Sequence, residues 1–215
     1  MRVVAVDVGV INCGISCVHA ALEEHQPQVL RSLQEKLGAS VKLEELQLFQ
    51  LGASKNATIV STYEKAIAFL QARRSVWESS VDLFIIETQM TARMKAIAAV
   101  FYAAMRCIFP TAKVLFQSAS AKLNFADLAI FLEQPSAPLA TYAQRKKAAT
   151  TVVKRLAASP GFPADLAARF AATKKKDDLS DALLHALAAI CIHSQKPRAA
   201  PKPRAAPKRR APPAS

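Results

Sequence analysis

Residues 3–7 read VVAVD, an apolar and mostly β-branched run that ends in an acid. This is the pattern of a strand buried on both faces. Positions 15–20 repeat the character and read as its hairpin partner, with Gly9 and Gly14 punctuating the turn between them. From 21 to 41 the chain is polar and helix-compatible, with Leu30, Leu33 and Leu37 three and four apart. That spacing predicts an inserted helix before a third strand over 43–51. Asn56 is a candidate cap for a helix running to about Trp77, whose Ile59, Tyr63, Ala66, Ile67 and Leu70 share one face. Lys65, Arg73 and Arg74 occupy the opposite face. A fourth strand over 81–87 again ends in an acid, Glu87, and an Ala-rich helix over 92–109 runs until Pro110 stops it. A strand over 113–117 and helices over 119–133 and 141–158, separated by a loop at Pro135 and Pro138, lead to a last helix near 177–193. Hairpin-connected strands followed by alternating helices and parallel strands predict an α/β fold, a mixed five-stranded sheet with helices on both faces.

The chain has 215 residues, 52% hydrophobic and 21% charged, enough for one substantial core and too few for two. Lys and Arg number 29 against 16 Asp and Glu, a net charge of +13, and the pI is near 9.9. The excess is concentrated at one end. Residues 196–215 hold seven Lys and Arg, no acid and six of the twelve prolines, and read KPRAAP twice before KRRAPPAS. Proline removes amide donors and like charges repel, so the expectation is a folded domain over 1–195 and a disordered basic tail over 196–215. Such a tail attracts phosphates by counterion release, and Lys208, Arg209 and Arg210 also read as a nuclear-localisation cluster. Cys13, Cys17, Cys107 and Cys191 form no C-x-x-C pair and no zinc spacing with His19, His25, His185 or His193, the mark of reduced thiols. The first strand-like run starts at Arg2, leaving no room for a signal peptide, and no uncharged apolar stretch reaches transmembrane length. The expectation is a soluble intracellular protein, in cytoplasm or nucleus, with no membrane partner.

Four acids carry the candidate chemistry: Asp7 and Glu87 at the ends of apolar strands, and Asp178 and Asp181 on the last helix. Acids three apart share a helix face, and an acid ending a buried strand stands where open α/β sheets place their ligands. Singly, each acid has an ordinary reading as a turn cap or as a favourable charge at a helix N-terminus. Together, on an otherwise apolar face with Leu179, Ala182, Leu183 and Ala186, they are costly unless cations compensate. Hard divalent ions bind through such oxygens.

These residues resemble the Holliday junction resolvases of poxviruses and other large DNA viruses, a branch of the RuvC-like nucleases. The match runs over 3–192 through VAVDVGVINCG, FIIETQ, FQSASAKL, TYAQRKKAATTVV and KKKDDLSDALLHAL. The resemblance implies an RNase H-like fold and structure-specific endonuclease activity, cutting four-way and other branched DNA by symmetric paired nicks in viral recombination and concatemer processing. It implies that Asp7, Glu87, Asp178 and Asp181 bind two Mg²⁺ ions roughly 4 Å apart, with Mn²⁺ able to substitute, one activating water and one stabilising the departing 3′ oxygen. Asp7 would bridge the two, Glu87 would complete one shell, and Asp178 and Asp181 would serve the other. Asp177 ranks below Asp178, because only Asp178 makes D-x-x-D with Asp181. The 21–41 insertion and the tail depart from the family pattern but touch none of the four acids.

Lys175 and Lys176, just before the acids, are candidates to hold the scissile phosphate, Lys175 in a catalytic role. Lys122, Arg93, Lys95, Arg145, Lys146 and Lys147 are candidate phosphate contacts; three adjacent cations at 145–147 cannot share one helix face. Gln89 stands close to Glu87, and His185 lies one turn beyond Asp181, where an ordinary packed histidine is the plainer reading. The resemblance also implies a twofold homodimer with one site per subunit. Ala96, Ala99, Val100, Ala103 and Ala104 mark the candidate interface. Two other classes compete. DVGVINCG resembles the first phosphate loop of the actin, Hsp70 and sugar-kinase class, but a body of about 195 residues has no room for that class's second half. A non-catalytic architectural protein coating branched DNA through its basic segments is the other.

Overall fold

In β1 (Arg2–Val8) alternate side chains enter two different cores. Val3 and Ala5 join one, and Val4, Val6 and Val8 the other. Successive strand residues point to opposite faces, so both faces of this strand are covered. The computed structural model describes residues 1–21, 40–52, 57–78, 80–121 and 141–194. Around β1 are β2 (Asn12–Ala20), β3 (Val41–Gln50), β4 (Leu83–Glu87) and β5 (Lys113–Gln117), in spatial order β3-β2-β1-β4-β5. The β1–β2 and β2–β3 pairs are antiparallel, and β1–β4 and β4–β5 are parallel.

Among the described residues six helices sandwich this sheet. On one face α1 (Ile59–Ala72), α2 (Arg74–Trp77) and α3 (Ala92–Ile108) supply Leu70, Trp77, Ile97, Phe101 and Met105 to the core. Trp77 is fully buried, with the rings of Phe69, Phe84 and Phe109 centred 5.9, 5.8 and 6.1 Å away. Each such pair contributes about 0.5–1.5 kcal/mol beyond its area. On the other face α4 (Tyr142–Ala157), α5 (Ala164–Ala172) and α6 (Lys176–Ser194) bury Val152, Val153, Leu166, Phe170, Leu179 and Leu183. This is the mixed five-stranded α/β sheet with helices on both faces that the hydrophobic pattern predicts. No helix among the described residues is long and apolar enough to cross a membrane.

Several local expectations need correction. Gly14 is not a turn residue: β2 begins at Asn12, and Gly14 sits inside it, paired with Asp7. The helix expected to reach Trp77 breaks at Arg73, which caps α1 while its guanidinium pairs with Glu45 at 2.9 Å. Thr58 caps that helix, accepting from the Ser61 N–H at 3.2 Å. The fourth strand starts at Leu83, because the Asp82 carboxylate turns back to accept the Arg2 N–H at 2.7 Å. α5 has no counterpart in the sequence reading; its Leu166 and Phe170, four apart, bury against the sheet. Residues 119–121 form a turn, and the remainder of the helix expected over 119–133 lies outside the described residues. So do most of the inserted helix, the Asn56 cap, the Pro135–Pro138 loop and the tail over 196–215.

Candidate metal centre

Parallel pairing of β1 with β4 aligns two acids. Val6 pairs with Ile86, so the next residues, Asp7 and Glu87, stand side by side at the carboxyl edge of the sheet. By strand alternation both fall on the face of Ala5 and Ile85, which α6 covers. Ligands of open α/β sheets bind beyond this edge. α6 adds the third acid: one carboxylate oxygen each of Asp7, Glu87 and Asp181 lie within 4.8 Å of one another. Glu87 is 9% exposed and Asp181 8%.

Gly14 explains how a helix backbone comes this close. A Cβ at this position would stand 2.7 Å from the carbonyl carbon of Asp178 and would overlap its oxygen. Asp7 pairs directly with Gly14 across the β1–β2 ladder. The missing side chain therefore opens the space in which α6 settles beside Asp7. Two residue pairs further on, the Ser16 hydroxyl donates to the Ala182 carbonyl at 3.1 Å, pinning the same stretch of helix to β2.

Asp178 is half-buried one turn before Asp181 and is not among the three converging carboxylates. Burial pushes its carboxyl up, and Asp177 and Asp181 push the same way against Lys146 and Lys175. Asp177 is engaged elsewhere. Its carboxylate accepts from Lys146 Nζ at 2.5 Å. Burial raises the Asp177 carboxyl, but this bond outweighs it and holds the group below the ordinary carboxylate range. The Cys13 thiol, fully buried, is raised well up by burial and then by Asp7 and Asp178, so it stays neutral and inert. Cys13, Cys17 and Cys191 are buried thiols, and Cys107 is an exposed one.

The donor set fits a hard divalent cation. It consists of carboxylate oxygens, and their span is close to the about 4.2 Å that separates opposite oxygens around one Mg²⁺. Asp7, Glu87 and Asp181 would hold such an ion, with Asp178 one turn away.

The cations divide into engaged and exposed. Lys146 is tied to Asp177, Lys176 Nζ donates to the Ala171 and Thr173 carbonyls at 2.8 and 2.7 Å, and Arg93 donates to the Ala57 carbonyl. Lys95, Arg145, Lys147 and Lys175 are exposed. Lys122 lies outside the described residues. Within 145–147 the middle cation turns inward and its neighbours face solvent, as a helix requires. On α3, Ile97, Ala98, Phe101 and Met105 pack inward, while Ala99, Tyr102 and Ala103 are exposed. Tyr102 stacks on Phe116 of β5, with ring centroids 5.4 Å apart.

Three buried polar side chains surround Glu87. Gln89 follows it in the chain, Gln117 pairs with it across the β4–β5 ladder, and His185 reaches it from α6. Gln89 Nε2, both polar side-chain atoms of Gln117 and both ring nitrogens of His185 have no hydrogen-bond partner among the described residues. Sequence reasoning singled out Gln89 and His185 but passed over Gln117, whose signal was its place at the end of an apolar strand beside the acid-ended one.

No protein-family model matches the chain, and no curated protein matches its sequence. Solved structures do match. RuvC of Thermus thermophilus aligns with a TM-score of 0.54 at 12% identity, over 92% of this chain and 100% of that one. The same protein in complex with a Holliday junction substrate gives 0.53 at 12%, over 90% and 95%. The Holliday junction resolvase of fowlpox virus gives 0.52 at 15%, over 88% and 98%. Such identities are evidence of common architecture, and with the strand order described above they lead to one conclusion: the chain has the RNase H-like fold of the RuvC-like resolvases, the poxvirus type included.

Proposed function

We propose that the chain is a divalent-metal-dependent endonuclease that resolves Holliday junctions by paired, symmetric nicks. The observation that carries this reading is the convergence of Asp7, Glu87 and Asp181, from two strands and a helix, at the carboxyl edge of a RuvC-like sheet. A bound pair of Mg²⁺ or Mn²⁺ ions would supply activated water and stabilise the departing 3′ oxygen. Asp7, central in the sheet, would serve both ions, Glu87 would complete one side, and Asp181 with Asp178 would complete the other. Binding of a cation beside Asp178 would displace to solvent the proton that its raised carboxyl holds, so ion binding strengthens as pH rises. Lys175, exposed just before α6, holds the scissile phosphate. Lys95, Arg145 and Lys147 contact flanking phosphates, joined by Lys122, and the engaged Arg93, Lys146 and Lys176 hold the elements that present them. The basic tail adds sequence-independent attraction.

A four-way junction offers two symmetry-related strands, which a twofold dimer with one site per subunit cuts in one encounter. The outward face of α3, with Ala99 and Ala103 beside the Tyr102–Phe116 stack, is the surface we assign to that contact. The biological setting this reading favours is recombination and concatemer processing of a viral genome inside the host cell. The test is a labelled synthetic four-way junction incubated with the purified protein and Mg²⁺, its products mapped on a denaturing gel. Paired nicks at symmetric positions are expected. Binding without cleavage would replace this reading with that of an architectural DNA-binding protein.

A further inference from the structure

His185 lies one helical turn beyond Asp181 on α6 and is completely buried among Leu183, Leu184, Ala186 and Leu187. An imidazole is an expensive choice there. A leucine would fill a similar volume, whereas the ring brings two polar nitrogens out of water, and neither has a hydrogen-bond partner among the described residues. Yet the ring is not remote from polar groups: its Nε2 stands 3.4 Å from Glu87 Oε2. That is a few tenths of an ångström beyond an ordinary N–H···O bond of about 2.7–3.2 Å.

We infer that His185 is a positioning residue for Glu87, donating its Nε2–H to one carboxylate oxygen and so turning the other toward Asp7 and Asp181. The inference rests on the reading of Glu87 as a metal ligand. Its physical basis is the number of torsions a glutamate must fix in order to ligate. Three side-chain torsions separate that carboxylate from the backbone, and each must be held for an oxygen to face Asp7 and Asp181. A donor on the rigid helix that also carries Asp181 helps to hold them beforehand. Ligating carboxylates are commonly fixed by such outer partners, whose loss weakens metal affinity about 10–100-fold. The same contact accounts for a polar ring on an apolar helix face, since the ring serves β4 rather than the core.

The test is Mn²⁺ binding to the full chain without DNA, followed by the electron paramagnetic resonance signal of free Mn²⁺. His185→Leu, which keeps volume and loses the donor, should weaken binding about 10–100-fold. His185→Gln, whose amide returns a donor, should recover most of that loss. Glu87→Gln separates the two layers of the argument. If it abolishes binding while His185→Leu binds as the parent does, the positioning role is overturned and the ligand reading stands. If Glu87→Gln itself binds normally, both fall. Should the leucine variant not fold, nitrogen NMR of the unmodified protein decides. The ring must carry its proton on Nε2, and that resonance must move when Mg²⁺ is added. A bare Nε2, or a resonance indifferent to Mg²⁺, overturns the inference.

Discussion

Gly14→Ala tests how the site is assembled. The added methyl carbon would stand 2.7 Å from the Asp178 carbonyl carbon and 3.3 Å from Ala182 Cβ, where carbons in contact lie about 3.5–4.0 Å apart. The obstacle is helix backbone, which cannot rotate away as a flexible side chain does. α6 must therefore retreat from β2 by about 1 Å, and Asp178 and Asp181 go with it. Overpacking of this kind costs about 1–3 kcal/mol, which for a chain of this size lowers the melting temperature by about 2–4 °C per kcal/mol. A misplacement of about 1 Å in a catalytic group costs about 100-fold in rate. The variant should thus remain folded at 25 °C and cut a junction about 100-fold more slowly in single-turnover assays with saturating Mg²⁺. Ser16→Ala is the control. It deletes the hydroxyl bond to the Ala182 carbonyl, at a cost of about 0.5–1.5 kcal/mol, without pushing the helix. It should lose stability and keep its rate. Unchanged melting and unchanged cleavage in Gly14→Ala would refute the claim that this glycine admits α6 to the site.

Asp7→Asn and Asp181→Asn should each abolish nicking while junction affinity in a gel-shift assay changes less than tenfold, because phosphates are held by the cations; full nicking by either variant would contradict the assignment. Asp178→Asn should raise the melting temperature of the metal-free protein by about 2–4 °C at pH 7, taking about 1 kcal/mol for relief of a buried charge. The sign follows from its raised carboxyl: the folded state holds that proton more tightly than the unfolded chain, so the ionised group costs stability once pH exceeds its folded pKa. The gain should vanish as pH falls toward the ordinary value of 3.8, and a gain unchanged at acid pH would exclude this cause. Removing residues 196–215 takes away seven cations and should flatten the slope of log affinity against log salt by up to about 6, leaving cleavage at low salt intact. Loss of cutting on truncation would make the tail part of the catalytic apparatus.

Patterning alone was enough for the layers of the fold. Uninterrupted apolar runs with β-branched residues at 3–6 and 83–86 read as strands covered on both sides, and strands of that kind that end in acids set Asp7 and Glu87 at one edge. Helical spacing likewise joins Asp178 to Asp181. What spacing cannot convey is distance across elements far apart in the chain. Gly14 looks like a turn glycine because a one-dimensional pattern records its missing side chain but not the helix, more than 160 residues later, that needs the room. Asp177 and Asp178 are equivalent by composition, and Lys146, from another helix, is what draws Asp177 aside. His185 is one more residue in an apolar helix until α6 is laid on the sheet and its ring meets Glu87. Local sequence thus determined most of the elements, α5 and the break at Arg73 excepted, and which acids end the strands, because backbone geometry and solvent act on every residue where it stands. Only the tertiary structure decided which acids face one another, because that depends on how closely α6 can approach β2.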